Sequence, residues 1–154
     1  MKALILPLLL CAGLPAQDIA PAVRDRIEKA VLEVNAQMTA ASEDLDIDRL
    51  FSYVLPNERG SIVLNGKLYV TREEALAAVK SAARGGATVK YAWKKLLVTV
   101  ISPSTALLVA EGESVIRPDS DSEHPVVTPF VQSLLFVLAD GKWKALHAHQ
   151  TAQR

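Results

Sequence analysis

The feature of this sequence that most constrains its fold is a succession of four long β-forming segments in the second half of the chain. These segments cover residues 89–101, 105–116, 126–138 and 142–150. Ser102-Pro103 and Asp140-Gly141 are turn-forming pairs that join neighbouring segments closely. Because strands that follow one another through short connections usually lie side by side, successive antiparallel pairing is predicted.

The first part of the chain has a helical pattern instead. Apolar residues recur at spacings of three and four over residues 21–41, with charged residues on the other face, which predicts an amphipathic helix. Pro21 suits the first turn of this helix, and Asp18 suits its N-cap position. A second, shorter helix is predicted over residues 47–54 and ends at Pro56-Asn57.

A hairpin and a third helix are predicted between these helices and the long strands. Asn65-Gly66 lies between two apolar runs, 61–64 and 67–70, and both of its residues tolerate the positive φ that a type I′ turn requires. The next four residues, from Thr71 to Glu74, form a capping box, which opens a helix that Gly85-Gly86 ends.

The N-terminus has the pattern of an export signal. Lys2 gives a positive start, residues 3–14 form an apolar run, and Leu14-Pro15-Ala16 is a plausible cleavage box. The run is shorter than the roughly 20 residues that span a bilayer, so no membrane span is predicted. We expect a signal peptide over residues 1–16 and a periplasmic or secreted domain over 17–154. One alternative is a lipid anchor on Cys11. It ranks second because lipoprotein signals usually have a small residue just before the cysteine, and here that residue is Leu10. The other alternative is a buried first helix or strand.

Composition narrows the classes of partner and chemistry. The chain of 154 residues suits one domain. Its 17 basic and 17 acidic residues give no positive excess for binding phosphates, so nucleic acid is not expected as a partner. Cys11 is the only cysteine, so a domain that begins at Gln17 has no disulfide, no thiolate nucleophile and no cysteine-based zinc site.

One strand indicates a homodimer. Residues 134–138 are apolar at every position rather than alternating, a pattern typical of strands that are covered on both faces. Helices can cover only one face in so small a protein, so a second copy of the chain is predicted to cover the other. The alternative is a central strand that curvature and loops shield.

The last predicted strand carries the most distinctive side chains. A period of two places Trp143, Ala145, His147 and His149 on one face. Two imidazoles at this spacing could bind a ligand, relay protons or hold a metal with a third ligand from a neighbouring strand. The alternative is that both histidines are structural groups, hydrogen-bonded inside the domain.

Glu111 and Glu113 form a second candidate pair. If their shared face lines a pocket, burial would raise the pKa of a carboxyl group there, and it could act as a base. The alternative is a solvated face on which they pair across strands with Lys94 or Lys95. Further candidates for lining a pocket are Gln132, Tyr91 and Trp93, although tryptophan is more often a core residue.

The order of these elements resembles the nuclear transport factor 2-like superfamily. Residues 140–151 resemble the "DG-W-(apolar)-H-x-H-x-S/T" ending of its SnoaL-like branch, which includes the association domain of calcium/calmodulin-dependent kinase. Residues 45–50 resemble the turn between the first two helices of that branch. The resemblance extends from residue 19 to the C-terminus.

This resemblance implies an α+β, cone-shaped fold, in which three N-terminal helices pack on a strongly curved antiparallel sheet. It also implies a pocket inside the cone and, in many members, a dimer through the outer face of the sheet. It does not imply one activity, because the superfamily includes isomerases, cyclases, dehydratases and assembly domains.

We therefore predict an exported domain that binds a small, mostly apolar molecule, without a cofactor or a metal. The residues predicted to line the pocket are His147, His149, Trp93, Glu111, Glu113, Gln132 and Tyr91. One alternative is an isomerase or dehydratase-like lyase that uses His147 or His149 with a carboxylate as acid and base. The other is a structural or assembly domain whose cone is packed by Trp93, Phe130 and Phe136.

Overall fold

The computed structural model describes residues 19–56, 61–85, 87–117 and 124–152. Three residues named in the sequence predictions lie outside these ranges: Cys11 with the export signal, Asp18 and Gly86. The prediction that Asp18 is the N-cap is wrong, because Ala20 occupies the N-cap position of the first helix.

Three helices form the first half of the fold: α1 (Pro21–Glu43), α2 (Ile47–Ser52) and α3 (Arg72–Ala83). Pro21 occupies the first turn of α1, as predicted. The predicted extension of α2 to residue 54 is wrong. The backbone leaves the helix because Ala145 donates to the Tyr53 carbonyl and accepts from the Leu55 N–H, each at 2.8 Å.

The hairpin and the start of α3 follow the predicted local chemistry. The strands β1 (Ile62–Leu64) and β2 (Lys67–Tyr69) flank Asn65 and Gly66, whose φ angles are 50° and 80°. Thr71 caps α3 through the capping box, because its side chain accepts a hydrogen bond from the Glu74 N–H at 3.2 Å. In return, the Glu74 carboxylate accepts from the Thr71 N–H at 3.4 Å.

Six strands form one mixed sheet. The four long strands are β3 (Thr88–Ser102), β4 (Thr105–Arg117), β5 (Val126–Ala139) and β6 (Lys142–Ala152), and they pair successively in antiparallel fashion, as predicted. The short β1 lies parallel to β6, so the strand order is β2-β1-β6-β5-β4-β3. The sheet is curled but not closed, which agrees with the predicted α+β cone.

The helices cover the concave side of the sheet, which we call the inner face. Leu108, Leu134 and Phe136 point inward and pack against Ile27 and Val31 of α1. Their burial forms the main core and removes apolar surface from water. A second cluster joins α2, α3 and β1, and its buried members are Ile47, Phe51, Val54, Ile62 and Ala75.

Register shifts change which side chains share a face of the sheet, and two of them lie near the candidate residues. In β6, Ala145 pairs with Phe136 whereas His147 pairs with Leu135, which leaves Leu146 as an extra residue. A similar shift in β3, between Trp93 and Lys95, leaves Lys94 as an extra residue. Beyond each bulge, the inward and outward positions exchange parity.

None of the helices in the described part of the chain combines the length and the apolar character that crossing a membrane requires.

Candidate functional site

A cavity of about 130 Å³ lies between the helices and the inner face of the sheet. Its wall is mostly apolar, and the three helices and strands β1, β3, β5 and β6 all contribute to it. Apolar lining residues include Met38, Leu50, Val54, Ile62, Val79 and Leu134. The cavity therefore lies between the two core clusters, where the curl of the sheet separates the helices from the strands.

Three amide side chains give the cavity a polar side. Asn35 of α1 is only 3% exposed, and its Oδ1 accepts a hydrogen bond from Gln132 Nε2 at 3.4 Å. Gln132 of β5 pairs in register with Gln150 of β6, and all three residues line the cavity. The amides can donate and accept hydrogen bonds without carrying charge.

Aromatic side chains form the end of the cavity near β3. Tyr91 stacks on Trp93 with ring centroids 6.0 Å apart, and Phe130 packs edge-on against Trp93 at 5.3 Å. Gly112 lies between Trp93 and Phe130 in the sheet register. A Cβ atom there would lie 2.8 Å from the Ala92 carbonyl oxygen and 3.2 Å from the Trp93 ring, so this packing requires glycine.

Glu43 fixes the end of α1 to this aromatic group. Its carboxylate accepts hydrogen bonds from the Tyr91 N–H at 2.8 Å and from Lys90 Nζ at 2.9 Å. Burial raises the pKa of Glu43, but the Tyr91 hydrogen bond and the Lys90 ammonium outweigh that effect and lower the pKa. In addition, Tyr91 Oη lies 3.2 Å from Ser42 Oγ, so two polar contacts hold Tyr91 against the helix.

The cavity is almost free of ionisable groups. Among the described residues that line it, Tyr91 is the only one whose side chain can titrate. General acid–base catalysis requires a group that exchanges a proton near the working pH and lies within reach of the substrate. The lining is suited to hydrogen bonding and apolar contact rather than to proton transfer between an imidazole and a carboxylate.

Three of the residues predicted to line the pocket meet at the cavity, namely Tyr91, Trp93 and Gln132. Tyr91 and Trp93 come from β3 and Gln132 comes from β5, and each points to the inner face. The other four predicted residues, His147, His149, Glu111 and Glu113, do not line this cavity. The sheet register places all four on the opposite, outer face.

The prediction that Trp143 shares a face with His147 and His149 is wrong, because the extra residue Leu146 interrupts the alternation. Trp143 packs with the main core, whereas the histidines pair with Leu135 and Ser133 on the outer face.

His147 and His149 each lie within hydrogen-bond distance of one hydroxyl group. The distance from His147 Nδ1 to Ser61 Oγ is 2.9 Å, and that from His149 Nε2 to Thr151 Oγ1 is 3.2 Å. These contacts match the structural alternative for the histidines, although His149 is exposed rather than inside the domain.

Glu111 and Glu113 form cross-strand ion pairs with lysines, which was the predicted alternative to lining a pocket. Glu111 lies 3.2 Å from Lys95 Nζ, and Glu113 pairs with Lys94. Lys94 is the extra residue of the bulge in β3, and its ammonium pairs with Glu113 on the neighbouring strand. Both carboxylates have an ammonium partner on a solvated face.

The sequence interpretation missed Asn35, Ser42 and Gln150. Asn35 could have been found, since it interrupts the apolar stripe of α1 four residues after Val31, where an apolar side chain would be expected. Gln150 could not be found from strict alternation, because the bulge at Leu146 brings the even-numbered residues that follow it to the inner face.

No group of three or more histidine, cysteine, aspartate or glutamate side chains that could hold a metal ion occurs within the described ranges. The amide oxygens of the cavity are neutral, and no carboxylate among its described lining residues accompanies them.

Comparisons with known proteins agree with this architecture. A family model described as a SnoaL-like domain matches residues 31–152. No curated protein sequence matches the chain. Among solved structures, a protein from Streptomyces avermitilis, provisionally assigned as a dehydratase of the NTF2-like family, has 18% identity and a TM-score of 0.74, covering 85% of this chain and 99% of that one.

Two further structures have the same fold. A protein from Novosphingobium aromaticivorans, provisionally assigned as a scytalone dehydratase, superposes with a TM-score of 0.77 at 9% identity over 86% of this chain and 88% of that one. A hexachlorocyclohexane dehydrochlorinase from Novosphingobium barchaimii superposes with a TM-score of 0.71 at 13% identity, covering 86% of this chain and 90% of that one. At these identities the likeness concerns the fold and not the activity.

Proposed function

Because this chain belongs to the SnoaL-like domain family, within the nuclear transport factor 2-like superfamily, we propose that its cone binds a small, neutral, mostly apolar molecule. The observation that carries the proposal is the cavity of about 130 Å³ with an apolar wall and uncharged polar groups. An apolar cavity of about 150 Å³ in another protein binds benzene. The ligand expected here is therefore about the size of a single ring.

The lining favours a neutral ligand over a charged one. A carboxylate or an ammonium would lose its hydration on entering and would find no opposite charge among the described lining residues. Burying an unpaired charge costs far more than one hydrogen bond returns. Amides and hydroxyls can satisfy a neutral polar group instead.

The position of the ionisable groups supports binding rather than an isomerase or dehydratase-like reaction. That alternative requires His147 or His149 to meet Glu111 or Glu113 at the substrate, and these groups lie on the outer face of the sheet. The alternative of a filled assembly domain has partial support, because Phe130 and Phe136 are buried. However, Trp93 borders open space instead of filling it.

A thermal-shift experiment with single-ring compounds such as toluene and phenol tests the proposal. A compound at about one hundred times its Kd should stabilise the protein by about 2.7 kcal/mol, which raises Tm by several degrees. Ala148→Leu should remove most of this shift, because Ala148 lines the cavity and a larger side chain there fills it.

The matched control is Ala92→Leu, since Ala92 is exposed on the outer face of β3 and pairs with Glu113. This variant should keep the full ligand response. Binding in the cone would be refuted if no compound stabilised the protein, or if Ala148→Leu responded as the unmodified chain does.

We also propose that two copies associate through the outer face of the sheet. Leu97 is 63% exposed and Val131 is 43% exposed on this face. Leu107, Val109 and Leu135 extend the apolar surface between them. An apolar sheet face of this kind suits a self-complementary contact.

Export is a further proposal, supported by Lys2, the apolar run 3–14 and the cleavage box ending at Ala16. N-terminal sequencing of the protein recovered from a bacterial host that expresses the full chain tests it. A mature start at Gln17 is expected, whereas an uncleaved cytoplasmic chain would contradict export. A lipid-modified Cys11 would support the alternative anchor.

A further inference from the structure

We propose that the amide pair Asn35 and Gln132 selects the ligand of the cavity: a neutral ring compound that carries a group able both to donate and to accept a hydrogen bond, such as a ring hydroxyl or a lactam. The inference rests on the proposed function, because it assumes that the cavity binds a small molecule. It adds the chemical class of that molecule and the two residues that recognise it.

Asn35 has an unusual position for an asparagine. It lies on the buried face of α1 between Val31 and Met38 and is 3% exposed. Asparagine is a poor residue for a helix interior, and its burial requires hydrogen-bond partners. Thr39 donates to the backbone carbonyl of Asn35 at 2.9 Å and not to its side chain. The side chain therefore depends on Gln132 and on whatever occupies the cavity.

The hydrogen bond between the two amides is long. Gln132 Nε2 and Asn35 Oδ1 are 3.4 Å apart, beyond the 2.7–3.2 Å of a well-formed N–H···O hydrogen bond. A contact of this length is weak and leaves both groups free to turn toward a ligand. Both residues line the cavity, so both amides are within reach of a molecule bound there.

The two amides leave the same kinds of group unpaired in either orientation of their side chains. Each primary amide has one carbonyl oxygen and one NH₂ group. A bond between them uses the oxygen of one and the NH₂ of the other, so an NH₂ group and a carbonyl oxygen remain in either orientation. The contact between the two amides is the one hydrogen bond that either side chain makes within the described residues. No buried side-chain polar atom there lacks a partner, so the two remaining groups are accessible from the cavity that both residues line.

A ligand that satisfies both remaining groups must donate one hydrogen bond and accept another at neighbouring positions. A hydroxyl does this with one oxygen, and a lactam does it with adjacent N–H and C=O groups. A hydrocarbon leaves both protein groups unpaired, and an ether or a ketone leaves the carbonyl oxygen unpaired. The apolar wall formed by Leu50, Val54 and Leu134 contacts the remainder of the ring.

Isothermal titration calorimetry with phenol and toluene, which have nearly the same size and shape, tests the inference. The unmodified protein should bind phenol about tenfold more tightly than toluene. The double variant Asn35→Leu/Gln132→Met removes both amides together, so neither is left unpaired. Its preference for phenol should disappear or reverse, while its affinity for toluene is kept or increased.

Retained toluene binding shows that the double variant is folded. Gln37→Leu is the matched control, because Gln37 is exposed on the same helix and does not line the cavity. It should keep the preference for phenol.

Equal binding of phenol and toluene by the unmodified protein, or an unchanged preference in the double variant, would overturn the inference and leave the proposed function standing. Binding of neither compound, nor of any other single-ring compound, would overturn both.

Discussion

At the scale of single residues, the interactions that position the site come from a few polar side chains in an apolar setting. Glu43 is the clearest case, because its carboxylate holds both the backbone of Tyr91 and the ammonium of Lys90. Its side chain is 20% exposed, so water screens these contacts only in part. One carboxylate thus connects the end of α1 to the aromatic end of the cavity.

The lowered pKa of Glu43 predicts a pH-dependent contribution to stability. A carboxyl group whose pKa is lower in the folded state stabilises that state above its unfolded pKa, and this stabilisation is lost as the pH falls through the folded value. Glu43→Gln should therefore reduce the free energy of unfolding by about 1 kcal/mol at neutral pH. The difference from the unmodified protein should shrink as the pH falls below 4.5, the ordinary value.

Urea unfolding at a series of pH values measures this difference. Glu33→Gln is the control, because Glu33 is exposed on the same helix, and its effect should stay within about 0.5 kcal/mol. A stability difference for Glu43→Gln that does not change between neutral and acidic pH would show that the charge of Glu43 is unimportant.

At the scale of elements, the sequence predicts most of what is determined locally. Helical periodicity, the Asn65-Gly66 turn and the capping box at Thr71 depend on residues close in the chain, and the structure contains all three. The bulge at Leu146 is different, because it depends on how β6 fits against β5 and the helices. The assumption of strict alternation therefore placed Trp143 on the same face as His147 and His149, whereas the bulge places it on the opposite face.

The capping box gives a prediction at this scale. Thr71→Ala should lower the free energy of unfolding by about 1 kcal/mol, because the Glu74 N–H loses its side-chain acceptor at the start of α3. Chemical denaturation measures the change. Ser81→Ala, an exposed replacement later in the same helix, should change stability by less than about 0.5 kcal/mol. Equal effects of the two replacements would contradict the role of Thr71.

At the scale of the whole molecule, the two faces of the sheet have different roles. The inner face carries the helices and the cavity, and the outer face combines exposed apolar residues with ion pairs and both histidines of β6. Element order and the family ending predicted the fold, whereas the second copy predicted from the apolar run 134–138 stays a prediction. The cavity lining was predicted only for Tyr91, Trp93 and Gln132, since the rest depends on how the three helices pack against the sheet and on the bulge in β6.

The proposed dimer is tested at this scale. Leu97→Asp should weaken association by at least about tenfold, because an unpaired carboxylate in an apolar interface costs more than about 1.4 kcal/mol. Sedimentation velocity over a concentration series measures the dissociation constant. Leu68→Asp is the control, since Leu68 is 58% exposed on β2, at the far edge of the sheet, and this variant should remain dimeric. A monomeric unmodified protein would contradict the dimer.

The strand order also limits the order in which the strands can assemble during folding. β6 is the last strand of the chain, yet it lies between β5 and β1 and also bonds to the backbone at Tyr53 and Leu55. In the part of the chain that the structure describes, the hairpin β1–β2 pairs with no strand other than β6, so it can join the sheet only after β6 is in place. Contacts between such distant parts of a chain slow folding. Until its final strand is available, the growing polypeptide cannot complete the wall of its own cavity.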